Sequence, residues 1–336
     1  MKKVLIFIGS RANFGRLRKV IEHTGNSGKL ELQIMLGASF YDQDIGYKID
    51  SRIQCLCSGD DNESMVISAA TMLNRVAMEL IRLKPDLVLV HGDRFEVLPV
   101  AQAAYYLNIP IAHSEGGEDS GCIDDGIRNM ITAIAKYNFV TNNMAKCKLL
   151  NMGKQYVWNV GSTGIDNLLD IKDEKNKEPY MLILHHPNTS KQENIATLIK
   201  ALSSFENIKK IWINPNVDAG SKSMLRLIHG KNSFEFRKDL TPLTYYSLLK
   251  NSALAVGNSS SFLKEAAFFG TPVVLVGNRQ KDRICASNIF HTDMSQDKIE
   301  NIIKQILEKN IRFPKSTIFG TGEASKKIVN ILEGML

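Results

Sequence analysis

The sequence predicts an α/β protein built of two doubly wound parallel-sheet domains in tandem, and three observations carry that prediction. Short apolar runs rich in Val, Ile and Leu alternate with segments of helical period, the pattern of strands buried on both faces of a parallel sheet. Between Leu168 and Pro179 the stretch LLDIKDEKNKEP loses all apolar periodicity and turns highly charged, as an exposed connection would, and then the alternation restarts. Polar and glycine-bearing motifs follow directly on the apolar runs, at the carboxyl ends of strands, where such sheets bind ligands. A chain of 336 residues is long for one domain and comfortable for two.

In the first half the expected strands are VLIFIG (residues 4–9), ELQIML (31–36), LVLVHG (87–92), IPIAH (109–113), NFV (138–140) and VWNV (157–160). Helical spacing fills Glu63 to Leu83, Glu96 to Leu107 and Asp124 to Lys136, and a first helix is expected from near Leu17. In the second half YMLILHH (180–186), KKIWINP (209–215), SFEFR (233–237), LAVGN (254–258) and PVVLVGN (272–278) read as strands of another parallel sheet. After the Gly-Thr-Gly turn at residues 320–322, a closing helix is marked by Ile328, Ile331 and Leu332. The expected domains are residues 1–170 and 178–320, with a cleft between the carboxyl ends of their strands.

Hydrophobic residues make up 44% of the chain and charged residues 23%, which fits a folded globular protein and excludes a disordered, collagen-like or disulfide-framework chain. The start MKKVLIFIGSR reads as a first strand rather than a signal peptide, and no stretch has the eighteen or so unbroken apolar residues of a membrane span. No membrane association is expected. Five cysteines without framework spacing suggest reduced thiols in a cytoplasm. The net charge is +7, but the lysines are spread along the chain and not interleaved with aromatics, so a phosphate-bearing metabolite is a better partner than nucleic acid.

Against that positive balance, residues 111–128, IAHSEGGEDSGCIDDGIR, gather Glu115, Glu118, Asp119, Asp124 and Asp125. Asp124 or Asp125 could cap the helix that carries Arg128. Capping leaves Glu115 unexplained, since a carboxylate straight after a buried strand is costly unless partnered or functional. Crowded carboxylates raise one another's pKa, so such a pocket can keep one group as an acid and another as a base. HGDRFE (91–96) brings Asp93 and Arg94 to the same sheet edge, where Asp93 could serve more plainly as a helix cap. GSRANFG (9–15) offers Arg11 and backbone N–H groups to an anion.

In the second half, HHPNT (185–189) ends a strand with two histidines, and NPNVDAGS (214–221) follows the next strand with turn-forming residues. GNSSSFLKEAAFFGTP (257–272) places three serines at a helix start, where free N–H groups hold phosphate or a serine simply caps the helix. Glu265 lies one to two turns on, where a carboxylate can accept from ribose hydroxyls. No GxSxG elbow supports a serine hydrolase.

Together these motifs, with NRQ (278–280) and GTGEASKKIVNIL near the end, make the chain resemble the UDP-N-acetylglucosamine 2-epimerase family over nearly its whole length. GDRFE, HSEGGE and DDGIR resemble its hydrolysing branch, the sialic- and legionaminic-acid pathway type, whereas the non-hydrolysing enzymes read more like GDTxT, HVEAG and PEExNR. The resemblance implies two Rossmann-like domains of GT-B type with the closing helix, residues 323–336, packed back on the first. It implies elimination of UDP to a 2-acetamidoglucal, addition of water, and release of a free N-acetylmannosamine-type sugar. By the same resemblance Asp93, Glu115 and Asp124 fall on the catalytic acids and His186 on the histidine beside the diphosphate. Arg11, Arg94, Arg128, Asn216, Ser259, Ser260, Glu265 and Arg279 fall on positions that hold UDP or orient the site, with Leu240 near the uracil. No metal or cofactor is expected, because arginines and helix N-termini can stabilise the departing diphosphate. A homo-oligomer, dimer or tetramer, is also implied. A non-hydrolysing epimerase, a GT-B glycosyltransferase and an inactive nucleotide-sugar sensor are the alternatives.

Overall fold

The computed structural model describes residues 1–59, 61–121, 124–173, 178–187, 194–215, 220–229, 233–238 and 240–336. Asn216 and Cys122 lie outside them. The chain divides into two compact units, the first made of Met1–Glu118, Asp124–Leu169 and Phe319–Leu336, the second of Asp119–Ile123 and Asp170–Ile318.

The first unit holds strands β1 (Lys2–Ile8), β2 (Leu30–Gly37), β3 (Ser51–Ile53), β4 (Leu87–His91), β5 (Ile111–Ser114), β6 (Tyr137–Val140) and β7 (Tyr156–Asn159). They form one seven-stranded sheet in the order β3-β2-β1-β4-β5-β6-β7. Every pairing in it is parallel. The helices are α1 (Arg11–Gly25), α2 (Asn62–Leu83), α3 (Val97–Tyr106), α4 (Asp124–Ile134) and α5 (Asn143–Asn151). Alternate residues of β1 feed two cores: Val4, Ile6 and Ile8 pack with Leu17, Val20 and Ile21 of α1, and Leu5 and Phe7 with Met72, Val76 and Leu80 of α2. Burial on both faces is why β1 reads as a continuous apolar run.

In the second unit β8 (Tyr180–Leu184), β9 (Lys209–Ile213), β10 (Glu235–Arg237), β11 (Leu254–Gly257), β12 (Val273–Val276) and β13 (Ile289–Thr292) form a six-stranded sheet, order β10-β9-β8-β11-β12-β13. Its pairings are parallel throughout. Around it lie α6 (Ile195–Ser203), α7 (Ser221–His229), α8 (Pro242–Asn251), α9 (Ser260–Phe269) and α10 (Gln296–Glu308). Gly257 has φ +145°, and a Cβ there would stand 2.0 Å from the Leu184 carbonyl oxygen, so only glycine lets β11 end this close to β8.

The last helix, α11 (Ala324–Met335), lays Ala324, Ile328, Val329 and Leu332 in the core beside α1. Asp166 accepts from the Ala324 N–H at 3.0 Å and the Ser325 N–H at 2.5 Å, which satisfies two donors at the start of that helix.

Three local expectations are revised. Helix α1 begins at Arg11, not near Leu17, because Ser10 Oγ accepts from the Asn13 N–H at 3.2 Å and caps it there. The cap position of α3 is Glu96, three residues beyond Asp93. Asp124 and Asp125 both stand inside the first turn of α4, where their charge suits the helix dipole. Helix α2, at 22 residues, is long and apolar enough to span a bilayer, yet it carries Glu63, Arg75, Glu79 and Arg82 and buries Met72, Val76 and Leu80 in the first-unit core.

Candidate active site

The order of the first sheet reverses between β1 and β4, and in such sheets the loops beyond the strand ends at that point line the ligand crevice. At and just beyond those strand ends stand Gly9–Arg11, His91–Glu96 and, from the adjacent β5, Ser114–Glu118. Gly9 has no room for a side chain, because a Cβ would stand 2.6 Å from Glu96 Cγ. The first two loops therefore pack directly against each other.

Glu115 is 8% exposed and has a left-handed backbone, φ +67°, uncommon for a residue with a side chain. Its N–H donates to the Phe139 carbonyl at 2.8 Å, so β6 fixes where the turn begins. Oε1 accepts from Arg16 Nη1 at 2.9 Å and from the Ser162 hydroxyl at 2.5 Å, and Oε2 stands 3.9 Å from His91 Nε2. The buried Arg16 guanidinium stabilises the carboxylate charge that burial alone would penalise.

Asp93 takes a second arginine. Arg128, 1% exposed on α4, donates through Nη2 to Asp93 Oδ2 and through Nη1 to Asp125 Oδ1 at 2.5 Å and the Glu118 carbonyl at 2.6 Å. One planar fork thus ties the loops after β4 and β5 to the start of α4. Arg94 Nε donates to the buried Glu96 Oε1 at 2.6 Å. Glu118 accepts from the Thr141 hydroxyl at 2.5 Å. Arg11 and Asp124 are half-buried at the starts of α1 and α4.

Crowding of like charges was the expected reason for the acidic stretch. The geometry is different: Glu115, Asp93 and Asp125 each meet an arginine, so the acids are interleaved with cations. Arg16 and Ser162 did not stand out in the sequence, and neither lies near Glu115 along the chain. Among the described residues no group of three or more His, Cys, Asp or Glu is arranged to hold a metal ion.

The second sheet reverses between β8 and β11, and the remaining candidates follow these two strands or lie beyond their neighbours. His185 and His186 come straight after β8, both buried. Asn258, after β11, accepts the His186 N–H at 2.7 Å and donates to the His186 carbonyl at 2.9 Å, while Gln280 Nε2 donates to the Asn258 carbonyl at 3.2 Å. Ser259 caps α9, its Oγ 3.0 Å from Ser261 Oγ. The hydroxyl-rich turn thus has the capping role and also presents a helix N-terminus, to which anions are drawn. Ser260 opens that helix half-buried, Glu265 is 1% exposed within it, Arg279 is half-buried next to Gln280, and Leu240 packs at the edge of the core around β8 and β11.

Known proteins resemble this chain in sequence and in fold. The family model described as UDP-N-acetylglucosamine 2-epimerase matches residues 17–333. The GDP/UDP-N,N'-diacetylbacillosamine 2-epimerase (hydrolyzing) of Campylobacter jejuni is 32% identical over 327 residues, 88% of this chain and 85% of that protein. The UDP-N,N'-diacetylbacillosamine 2-epimerase (hydrolyzing) of Legionella pneumophila is 27% identical over 99% of this chain and 96% of its own. Among solved structures, the Methanocaldococcus jannaschii UDP-GlcNAc 2-epimerase in complex with UDP-GlcNAc and UDP shares the fold, with TM-score 0.82 at 20% identity over 99% of each chain. The chain belongs to the UDP-N-acetylglucosamine 2-epimerase family.

Proposed function

We propose that this protein is a cytoplasmic, hydrolysing 2-epimerase of a UDP-linked 2-acetamido sugar, releasing a free N-acetylmannosamine-type sugar and UDP for nonulosonic acid synthesis. The observation that carries the reading is the pair Asp93 and Glu115. They follow neighbouring strands whose ends, His91 and Ser114, are register partners, and each carboxylate is held by a buried arginine.

Inversion at carbon 2 needs a proton taken from one face of the sugar and returned to the other, hence at least two groups that exchange protons. In the elimination a carboxylate takes the carbon 2 hydrogen, the C–H electron pair becomes the double bond to carbon 1, and UDP leaves with the C1–O pair. Water then adds: its oxygen bonds carbon 1, a protonated acid returns hydrogen to carbon 2, the water's spare proton restores that acid, and the proton held by the first carboxylate passes to solvent. Asp93, Glu115 and Asp124 carry these transfers. Arg128 orients Asp93, and Arg11 and Arg94 steady the anionic leaving group. The nucleotide falls to the second unit, with His186, Asn216, Ser259, Ser260 and Arg279 at the diphosphate, Glu265 at the ribose and Leu240 at the uracil.

The two hydrolysing relatives, both named as N,N'-diacetylbacillosamine 2-epimerases, favour a 2,4-diacetamido-trideoxy sugar as a second substrate reading beside UDP-N-acetylglucosamine. The exposed apolar face of α2, with Val66 68% and Met78 65% accessible, is consistent with a homo-oligomer.

Asp93→Asn and Glu115→Gln, assayed on both UDP-sugars, test the reading: turnover is lost in each, while UDP affinity stays within about tenfold by calorimetry. Unchanged turnover in both variants contradicts it.

A further inference from the structure

Ser162 lies outside every motif expected at the site, yet it brings a hydroxyl to the Glu115 carboxylate. Ser162 Oγ is 2.5 Å from Glu115 Oε1 and 3.2 Å from Arg16 Nη1. A guanidinium only donates, so Arg16 gives a hydrogen to the serine oxygen and the single hydroxyl hydrogen turns to Glu115. Oε1 receives another hydrogen from Arg16 Nη1 at 2.9 Å. Two donors on one oxygen concentrate the carboxylate charge there and disfavour a proton at that atom. The second oxygen, Oε2, also accepts from Arg16 Nη1, at 3.2 Å, and faces His91 Nε2 at 3.9 Å, so the arginine serves both oxygens and the Ser162 hydrogen is what distinguishes Oε1.

The backbone leaves the hydroxyl little freedom. Ser162 is fully buried, and its N–H donates to the Phe319 carbonyl at 2.6 Å. Gly161 (φ +90°) and Gly320 (φ +117°) cross so closely that a Cβ on Gly161 would stand 2.9 Å from Gly320 Cα. Only two residues without side chains cross in this way, and the crossing clamps the segment that carries Ser162.

We propose that Ser162 is a positioning residue for Glu115: by aiming its hydrogen at Oε1 it makes Oε2 the oxygen that gains and loses the proton during epimerisation. The inference rests on the proposed function. Whether Glu115 takes the carbon 2 hydrogen as the C–H pair moves into the double bond, or returns one as water adds, the O–H bond made or broken is at Oε2.

The test is carboxyl 13C NMR on glutamate-labelled protein without substrate, with the Glu115 resonance assigned by its loss in Glu115→Gln. Ser162→Ala is expected to raise the Glu115 titration midpoint by about one unit, as loss of a hydrogen bond to a charged group does. It should also lower kcat about tenfold with KM within about twofold. Ser162→Thr, which keeps the hydroxyl, should stay close to the wild type in both. An unmoved midpoint in Ser162→Ala, or an equal shift in Ser162→Thr, overturns the proposal. Ser162→Cys, nearly isosteric and a weak donor, serves the same comparison if the alanine variant does not fold. Absence of wild-type turnover on any UDP-sugar would overturn the epimerase reading and the proton-transfer half of the proposal. The resting-state titration then decides the Ser162–Glu115 contact separately.

Discussion

The Nε2 atom of His113 lies 2.8 Å from the carbonyl oxygen of Gly92, the residue just before Asp93. Nε2 therefore carries the hydrogen, and Nδ1, 3.1 Å from Thr132 Oγ1, accepts from that hydroxyl. Complete burial pushes the imidazole down to about 4, so His113 remains neutral and braces the Asp93 loop against β5 and α4.

That depression has a consequence for stability. Below its ordinary value near 6.5 the unfolded chain binds a proton that the folded protein refuses, so stability falls as pH drops from about 6.5 towards 4. Over the whole window this one group removes on the order of 3 kcal/mol. Urea unfolding of wild type and His113→Gln at pH 7 and pH 4.5 checks it: the variant is less stable at pH 7, and the gap narrows at pH 4.5. A gap of constant width contradicts the neutral, buried imidazole.

Arg128 reaches Asp93, Asp125 and the Glu118 carbonyl with one rigid fork. Lysine keeps the charge but not the fork, so Arg128→Lys should lower kcat by about a hundredfold while UDP binds within about threefold. Steady-state kinetics beside calorimetry with UDP separates the two. Wild-type kcat in the variant would remove Arg128 from the organisation of Asp93.

Asn258 joins the loop after β8 to the loop after β11 through both backbone polar groups of His186. Asn258→Ala leaves those groups without their side-chain partner and should weaken UDP binding about tenfold, seen directly in the Kd. Unaltered UDP affinity would place the nucleotide away from His186.

How far the sequence could be read follows from how each element is buried. Strands such as β1, β4, β8 and β12 are covered on both faces, and their unbroken apolar runs were legible to within a few residues. Strands β3 and β13 were not, because Ser51–Ile53 has three residues at a sheet edge and Ile289–Thr292 is half-exposed with polar positions. The start of α1 was hidden because its first turns bury Asn13 and Arg16 in place of apolar residues. At the site, the acids stand out because they follow strands directly. Their partners do not: Arg16 is 99 residues and Ser162 47 residues from Glu115 along the chain, and only the folded unit brings them together.

The central claim is that side-chain carboxylates exchange the hydrogen on carbon 2 as UDP departs and water enters. NMR of the reaction with UDP-N-acetylglucosamine and its 2,4-diacetamido counterpart in deuterated water follows that hydrogen directly. The account predicts free, inverted sugar with deuterium on carbon 2 and one equivalent of UDP. A product still joined to UDP, or a free sugar that keeps its original hydrogen at carbon 2, would contradict it.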